Sequence, residues 1–303
     1  MSLVTRKDAI CGIGASVAAI AMGDQETVLH DSRDPNVLQG EIDEVSPRMF
    51  RQFSVDGDAN GRKALLRFDA AFNKVLKEID TVKVENRPAV WLVYNMGIVV
   101  KTRETLFSID LHHRLAHEIA PRLDFALITH NHGDHYTKRF YDEMSAKLKK
   151  TVVNNFIDNY GARWQGNPFG GGFTRGGKRF KFRDVEIITS SLDHNSYLID
   201  YTMAFEVRIG DFTIYHTGDT SNVKKLNPSC RPDMWIVHPC CGVNVVEGVE
   251  KFHPKNTVIA HLNEMHHPKG KARWTWATGF QKMKQIQALG YQATVPFWGD
   301  RVC

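Results

Sequence analysis

Cysteine is scarce and poorly placed for cross-linking. The chain has five, Cys11, Cys230, Cys240, Cys241 and Cys303, and none forms a C-x-x-C pair. Neighbours such as Cys240 and Cys241 rarely bridge each other, so a disulfide framework is excluded and the thiols read as buried or idle. No apolar run reaches the roughly 20 residues of a bilayer-crossing helix, so no stable membrane span is expected. A strong charge of one sign is also missing: 39 basic and 34 acidic residues leave a net charge of +5. That balance suits a small anionic substrate, and no clustered basic face marks a nucleic-acid partner. Neither an internal repeat nor a dividing linker is visible. A phosphate-binding loop is absent too. The Gly-rich segment from Gly166 to Gly177 lacks the Lys-Ser/Thr of such a loop and does not lead into a helix, so it reads as a surface loop edging the site.

Apolar residues, by contrast, are plentiful. They make up 42% of the chain, enough for a full core. At the N-terminus, Thr5-Arg6-Lys7-Asp8 precedes a small-residue apolar stretch from Ala9 to Ile20, and Ala19-Ile20-Ala21 has the form of a cleavage site. Residues 1–23 therefore read either as an export signal, twin-arginine-like with Lys7 in the second position, or as an ordinary N-terminal helix of a cytoplasmic protein. Residues 24–60 are polar, with short helical stretches at best. Leu65, Leu66, Phe72, Val75, Leu76 and Ile79 recur at helical spacing, so residues 24–88 read as a helical extension packed on a main domain at 89–303.

From Ala89 onward the pattern is β-rich. Strands are expected at Ala89–Tyr94, Gly97–Lys101, Thr105–Asp110, Phe125–Thr129, Thr151–Asn155, Arg179–Phe182, Val185–Thr189, Met203–Ile209, Phe212–His216, Met234–His238 and Gln292–Pro296. Helices are expected at Phe140–Lys149 and around Trp274–Leu289. Trp274, Trp276 and Phe280 have the spacing of a core-facing helical stripe. Interleaved strands and helices point to a layered α/β domain.

The strongest chemical signal is Thr129-His130-Asn131-His132-Gly133-Asp134-His135, which follows a buried strand. Imidazole and carboxylate are the usual N/O ligands of zinc-like ions, and Gly133 permits a tight turn between them. This run resembles the signature motif of the metallo-β-lactamase superfamily, and the resemblance extends over residues 89–300. A strand ending in Asp110 precedes the motif. Asp193-His194-Asn195 follows, with His194 lying 59 residues beyond His135. Tyr215-His216-Thr217-Gly218-Asp219-Thr220 puts Asp219 another 25 residues on, and Val258-Ile259-Ala260-His261 puts His261 a further 42.

The resemblance implies a four-layer αββα sandwich with two divalent ions at one edge. His130, His132 and His194 would hold the first ion; Asp134, His135 and His261 the second; Asp219 would bridge them. Ligation without thiolate admits zinc first, with manganese or iron as alternatives. A water shared by two such ions loses its proton near neutral pH and becomes the nucleophile, with Asp134 placed to orient it and receive that proton. Asp110 reads as a loop-fixing partner rather than a ligand. His216, His238, His266 and His267 are candidates for a leaving-group acid or for contacts behind the ligands. Lys269, Lys271 and Arg273 form either a solvated basic turn or an anion-attracting one.

Within that superfamily the chain lacks the Gly-His-x-x-Gly of true β-lactamases. It keeps every signature histidine, unlike the redox flavodiiron branch. The 42-residue gap before His261 leaves no room for the inserted domain of the nucleases. Within it the chain resembles ascorbate-phosphate lactonase-like proteins and related phospholipase D-type hydrolases, in the Asn-His-Gly-Asp-His core, the Tyr-His-Thr-Gly-Asp-Thr turn, the compact Asp219-to-His261 spacing and the ending Val295-Pro296-Phe297-Trp298-Gly299-Asp300. The implied activity is hydrolysis of a lactone, ester or phosphodiester in a small substrate. The alternatives are a metal-binding protein without turnover and a nucleic-acid phosphodiesterase. Homo-oligomer formation is left open.

Overall fold

The apolar runs fall into two sheets. The computed structural model describes residues 33–54, 58–146, 150–152, 176–196 and 198–303. The export-signal reading of residues 1–23 and most of the Gly-rich segment lie outside the described residues. The first sheet contains β1 (Ala89–Tyr94), β2 (Gly97–Lys101), β3 (Leu106–Ile109), β4 (Phe125–Leu127) and β5 (Lys150–Val152). The second contains β6 (Arg179–Phe182), β7 (Val185–Leu192), β8 (Thr202–Ile209), β9 (Phe212–His216), β10 (Met234–Val237), β11 (Asn256–Ile259) and β12 (Ala293–Thr294). A last short strand, β13 (Asp300–Arg301), returns to the first sheet beside β1.

Each sheet changes character partway across. In the first, β1, β2 and β3 pair antiparallel, and β3, β4 and β5 pair parallel. In the second, β6 to β9 form an antiparallel meander and β9 to β12 run parallel. The parallel part requires crossovers, and helices supply two of them: Val245–Phe252 before β11 and Trp276–Ala288 before β12.

Alternation along the strands separates two cores. Val90 and Leu92 of β1 join Ile98, Phe107, Phe125, Ile187, Phe205, Ile214, Ile236 and Val258 in one cluster between the sheets. Trp91 and Val93 join Phe68, Phe72 and Val75 in another, on the outer face. On the far side Trp235 and Val237 belong with Val249 and Ile286. The layers are thus helix, sheet, sheet, helix, the αββα sandwich expected from the motif. Strands covered on both faces read as continuous apolar runs because both parities of residue are buried.

Before the sheets come helices α1 (Pro35–Asp43), α2 (Pro47–Gln52) and α3 (Ala59–Thr81). The first two start with proline after Asp34 and Ser46, whose side chains accept from the first-turn N–H groups. In α3, Leu65, Phe68, Phe72, Val75 and Ile79 are buried at intervals of three and four. Each large apolar side chain so buried contributes about 1.5–3 kcal/mol. Two polar ties fix α3 to the sheet. Trp91 Nε1 donates to Glu78 at 2.6 Å, and Lys101 Nζ donates to the carbonyls of Ile79 and Val82 at 2.6 and 2.9 Å, which the helix end leaves without partners. The remaining helices are α4 (Ala116–Ile119), α5 (Lys138–Ala146), α6 (Val245–Phe252) and α7 (Trp276–Ala288).

Two expectations need correcting. Trp274 is not core: it is 36% exposed, while Trp276 is 3% exposed. Thr275 is the N-cap of α7 and accepts from Thr278 N, so Trp274 lies before the helix and off its stripe. Nor is Arg273 part of a solvated or anion-attracting turn. It is buried and donates to the carbonyls of Ile42, Val45, Glu264 and Met265 at 2.8–3.2 Å. Lys269 pairs with Asp43 at 2.9 Å. Arg273 thus ties the segment after α1 to the segment after β11. Replacing Arg273 with Ala strands several buried carbonyls, each worth about 1–3 kcal/mol when unsatisfied. The expected loss is about 3 kcal/mol of unfolding free energy, read from urea denaturation, and an unchanged midpoint would refute the clamp.

Candidate metal centre

Every candidate ligand lies just beyond the C-terminal end of a strand, at one edge of the sandwich. Residues 130–135 follow β4, His194 follows β7, Asp219 follows β9 and His261 follows β11. The ends of the parallel strands converge there, so residues far apart in sequence meet. Among the described residues, His130, His132 and His194 offer ligand atoms all within 4.8 Å of one another. Asp134, His135, Asp219 and His261 form a second such group. Asp219 touches both. Its Oδ2 lies 3.9 Å from His194 Nε2 and 3.3 Å from His261 Nε2, and its Oδ1 lies 3.3 Å from His135 Nε2. Asp134 Oδ2 stands 3.2 Å from His261 Nε2.

The chemistry of this donor set fits divalent cations. The Nε2 atoms of His130, His135, His194 and His261, together with Asp219 Oδ1, are buried without a hydrogen-bond partner. Buried polar atoms are almost always satisfied. Five that converge on one place call for a cation rather than for each other.

The opposite edges of these rings are well tied. Asp110, fully buried and with φ +48°, accepts from Thr129 N and Oγ1 at 2.7 Å and faces His135 Nδ1 at 2.9 Å. Thr129 Oγ1 stands 3.0 Å from His130 Nδ1. One carboxylate thereby turns His135 directly, and His130 through Thr129, so that both Nε2 lone pairs face the site. Gly218 has φ +52°, and a Cβ there would lie 2.7 Å from Thr129 Cβ and Oγ1. Glycine is thus required where the Asp219 turn passes over Thr129. Asp193 holds the third corner: its carboxylate accepts from Lys225 Nζ, Asn222 Nδ2 and Asp200 N, and its carbonyl accepts from Ser221 N.

Several contributors were not read from the sequence. Asn95, in the turn after β1, donates from Nδ2 to Asp134 Oδ2 at 3.2 Å and to the Asp134 carbonyl at 3.1 Å, while its own carbonyl accepts from His261 N at 3.0 Å. Cys241 Sγ lies 3.4 Å from the carbonyls of His194 and Asp219. Glu264 holds His266 and His267. The turn Asn95-Met96-Gly97 signals a hairpin, but nothing in it signals a partner 39 residues away.

The other candidate histidines differ in placement. His216 is buried and pairs with the Met96 carbonyl at 2.9 Å, which makes it a backbone tie. His238 stacks face to face on His261, with centroids 3.8 Å apart. His266 and His267 are each held by one oxygen of Glu264, and His267 shares with Asp134 and Glu264 a group of ligand atoms within 4.8 Å.

Charge in the cluster is sharply divided. Burial alone lowers His135, but the carboxylates of Asp219, Asp134 and Asp110 raise it well above its ordinary value. Burial likewise opposes charge on His261, yet Asp219 and Asp134 bring it to about 10. Burial and the neighbouring His135 hold His130 well below its ordinary value, and burial with His194 takes His132 to about 4. The carboxylates therefore favour positive charge on His135 and His261 over His130 and His132.

The comparisons agree with this architecture. No family model matches the chain. It is similar to the UPF0173 metal-dependent hydrolase NEQ378 of Nanoarchaeum equitans, 28% identical over 160 residues, which span 48% of this chain and 73% of that protein. Among solved structures it is similar to the metallo-beta-lactamase fold protein YhfI from Bacillus subtilis, with TM-score 0.53 and 12% identity over 71% of this chain and 98% of the other. It is also similar to CmlA, a diiron beta-hydroxylase from Streptomyces venezuelae, with TM-score 0.55 and 13% identity, covering 83% of this chain but only 58% of that one. The chain has the metallo-β-lactamase fold.

Two outcomes follow for metal binding. Replacing Asp110 with Ala frees His135 and Thr129 to turn, and metal affinity falls about 10- to 100-fold in a competition titration with a chelator. Unaltered affinity would remove Asp110 from the site. Because ligand histidines must be neutral, binding near pH 7.5 displaces the protons on His135 and His261, on the order of one to two per chain. Calorimetry in buffers of different ionisation enthalpy measures this release. Affinity should rise with pH towards about 10, where His261 loses its proton unaided; a pH-independent affinity would contradict the charge assignment.

Proposed function

We propose that the protein is a metal-dependent hydrolase acting on a lactone, ester or phosphodiester of a small anionic substrate. The observation that carries this reading is the convergence of unpartnered, buried ligand atoms from four segments. His130, His132 and His194 would hold one divalent ion, and Asp134, His135 and His261 a second, with Asp219 shared. Zinc is the first choice for this nitrogen-rich set, and manganese or iron also suit it. The similarity of fold to a diiron protein keeps iron among the ions to be tried. When bound, such ions supply Lewis acidity and make water acidic enough to lose its proton near neutral pH.

The chain's own residues supply the rest. Asp134 accepts a proton at its carboxylate, which Asn95 holds in place through Oδ2 and the adjoining carbonyl. His194 and His132 are only partly buried, so the first group of ligands faces the open side of the site, where a substrate enters. The mild positive net charge favours an anionic substrate, and the lactonase-like likeness of the core motif and the C-terminal ending favours a lactone or phosphodiester over a β-lactam. The alternative, a metal-binding protein without turnover, predicts bound ions and no activity on any of the substrates below.

Loading the full chain with zinc, manganese or iron(II) and assaying lactones, phosphodiesters, oligonucleotides and nitrocefin tests the reading. Elemental analysis should give about two ions per chain, and turnover should appear on lactones or phosphodiesters but not on nitrocefin or oligonucleotides. Asp134→Ala should lower kcat by about 10²–10⁴-fold, the range expected for loss of a positioned proton acceptor. A chain that binds no metal, or an Asp134→Ala variant with full activity, would sink it.

A further inference from the structure

Glu264 follows His261 by three residues, and its side chain is completely buried. Its two oxygens each take one imidazole. Oε1 lies 2.7 Å from His266 Nδ1, and Oε2 pairs with His267 Nδ1 and accepts His267 N at 3.0 Å. Tyr94 Oη completes the surround at 3.4 Å from Oε1. Burial works against the charge on Glu264, but the hydrogen bonds from His266 and His267 hold its carboxyl down at about 2. The loop does not need the imidazoles to keep its shape, because Arg273 already binds the carbonyls of Glu264 and Met265.

The two histidines are not equivalent. His266 is packed edge-on against Phe50 and His112 at 4.8 and 4.6 Å, and its side chain is 22% exposed. His267 is 46% exposed, and it shares with Asp134 and Glu264 a group of ligand atoms within 4.8 Å. A carboxylate bound to Nδ1 fixes the ring and favours a proton there, which leaves Nε2 as the working nitrogen.

We propose that His267 delivers the proton to the leaving group from Nε2, and that Glu264 is the positioning residue for this step. The proposal rests on the hydrolase reading and adds the acid that reading lacks. The water oxygen forms a bond to the carbonyl carbon or phosphorus, and the bond from that centre to the leaving oxygen breaks. The electron pair departs with the leaving oxygen, which takes the Nε2 proton of His267. The proton lost by water goes to Asp134. Passing it from Asp134 to His267, within the same cluster, restores both groups. The hydrogen bond to Glu264 raises His267 above its ordinary value, with burial opposing it.

The test uses metal-loaded full chain and pairs of esters and phosphodiesters that share an acyl or phosphoryl part but leave as p-nitrophenolate or as an alkoxide. A p-nitrophenolate departs with little help, whereas an alkoxide needs a proton. Expected for His267→Asn is a fall in kcat of about 10²–10³-fold on the alkyl partner and under about tenfold on the p-nitrophenyl partner, with KM changed less than about threefold. Glu264→Gln should show the same selectivity to a smaller extent, and added imidazole should restore alkyl turnover to His267→Gly. Nitrogen-15 NMR of labelled histidine in the full chain, which needs no turnover, should show an Nδ1–H at His267 that Glu264→Gln disturbs. Equal losses on both leaving groups in an active enzyme, or no Nδ1–H at His267, overturn this proposal alone. A wild-type chain inactive on every pair overturns the hydrolase reading together with it.

Discussion

The contact of Asp110 with Thr129 and His135 is the constraint from which the site follows. A carboxylate with no exposure is tolerated only when its oxygens are filled, and here a backbone N–H, a hydroxyl and an imidazole fill them. These partners come from the loop after β4, so the end of β3 dictates where that loop turns. The positive φ of Asp110 aims the carboxylate across the strand end, a backbone cost that its hydrogen bonds offset. Once the loop is pinned, His130 and His135 have one ring orientation each, with the nitrogens that remain free turned to the same side.

A second constraint acts from the other sheet. Asp219 must approach within contact of both ligand groups, which brings its turn down onto Thr129. Gly218 makes that approach feasible, and Asp193 ties the turn to the His194 loop through Ser221, Asn222 and Lys225. The two sheets therefore meet at the site through backbone and carboxylate contacts. Elsewhere they meet through the apolar layer of Val90, Phe107, Phe205 and Ile236. That layer is close-packed and stiff, so it sets the separation of the strand ends and with it the spread of the ligands.

Much of this is legible in the sequence. Four of the strands, those beginning at Ala89, Gly97, Arg179 and Phe212, begin and end where β-rich runs meet turn residues. The spacing of His130, His194, Asp219 and His261 follows from the order in which strand ends reach one edge, so a motif comparison finds all of them. Asn95, Glu264 and Arg273 were not legible as parts of this arrangement. Asn95 and Arg273 act through contacts between segments distant in sequence, and Glu264 binds histidines two and three residues on, a spacing that marks no motif by itself. Arg273 reads as a basic surface residue beside Lys269 and Lys271, and only the fold reveals four carbonyls around it. Trp274 misleads because its spacing matches the helix that Thr275 caps one residue later.

The carboxylates near the site divide by what neutralises them. Asp110 is satisfied by neutral donors and the edge of one ring. Asp134 and Asp219 face His135 and His261, whose charge lowers both carboxyls, and a bound cation would supply the same counter-charge. Glu264 is different again: its partners are imidazoles outside both ligand groups, and one of them is open to solvent. A cation in the cluster would take the place of protons on His135 and His261, whereas the imidazoles held by Glu264 lie outside both ligand groups. On the proposed reading, the imidazole that Glu264 positions and the carboxylate of Asp134 serve as separate acid and base within one cluster of side chains.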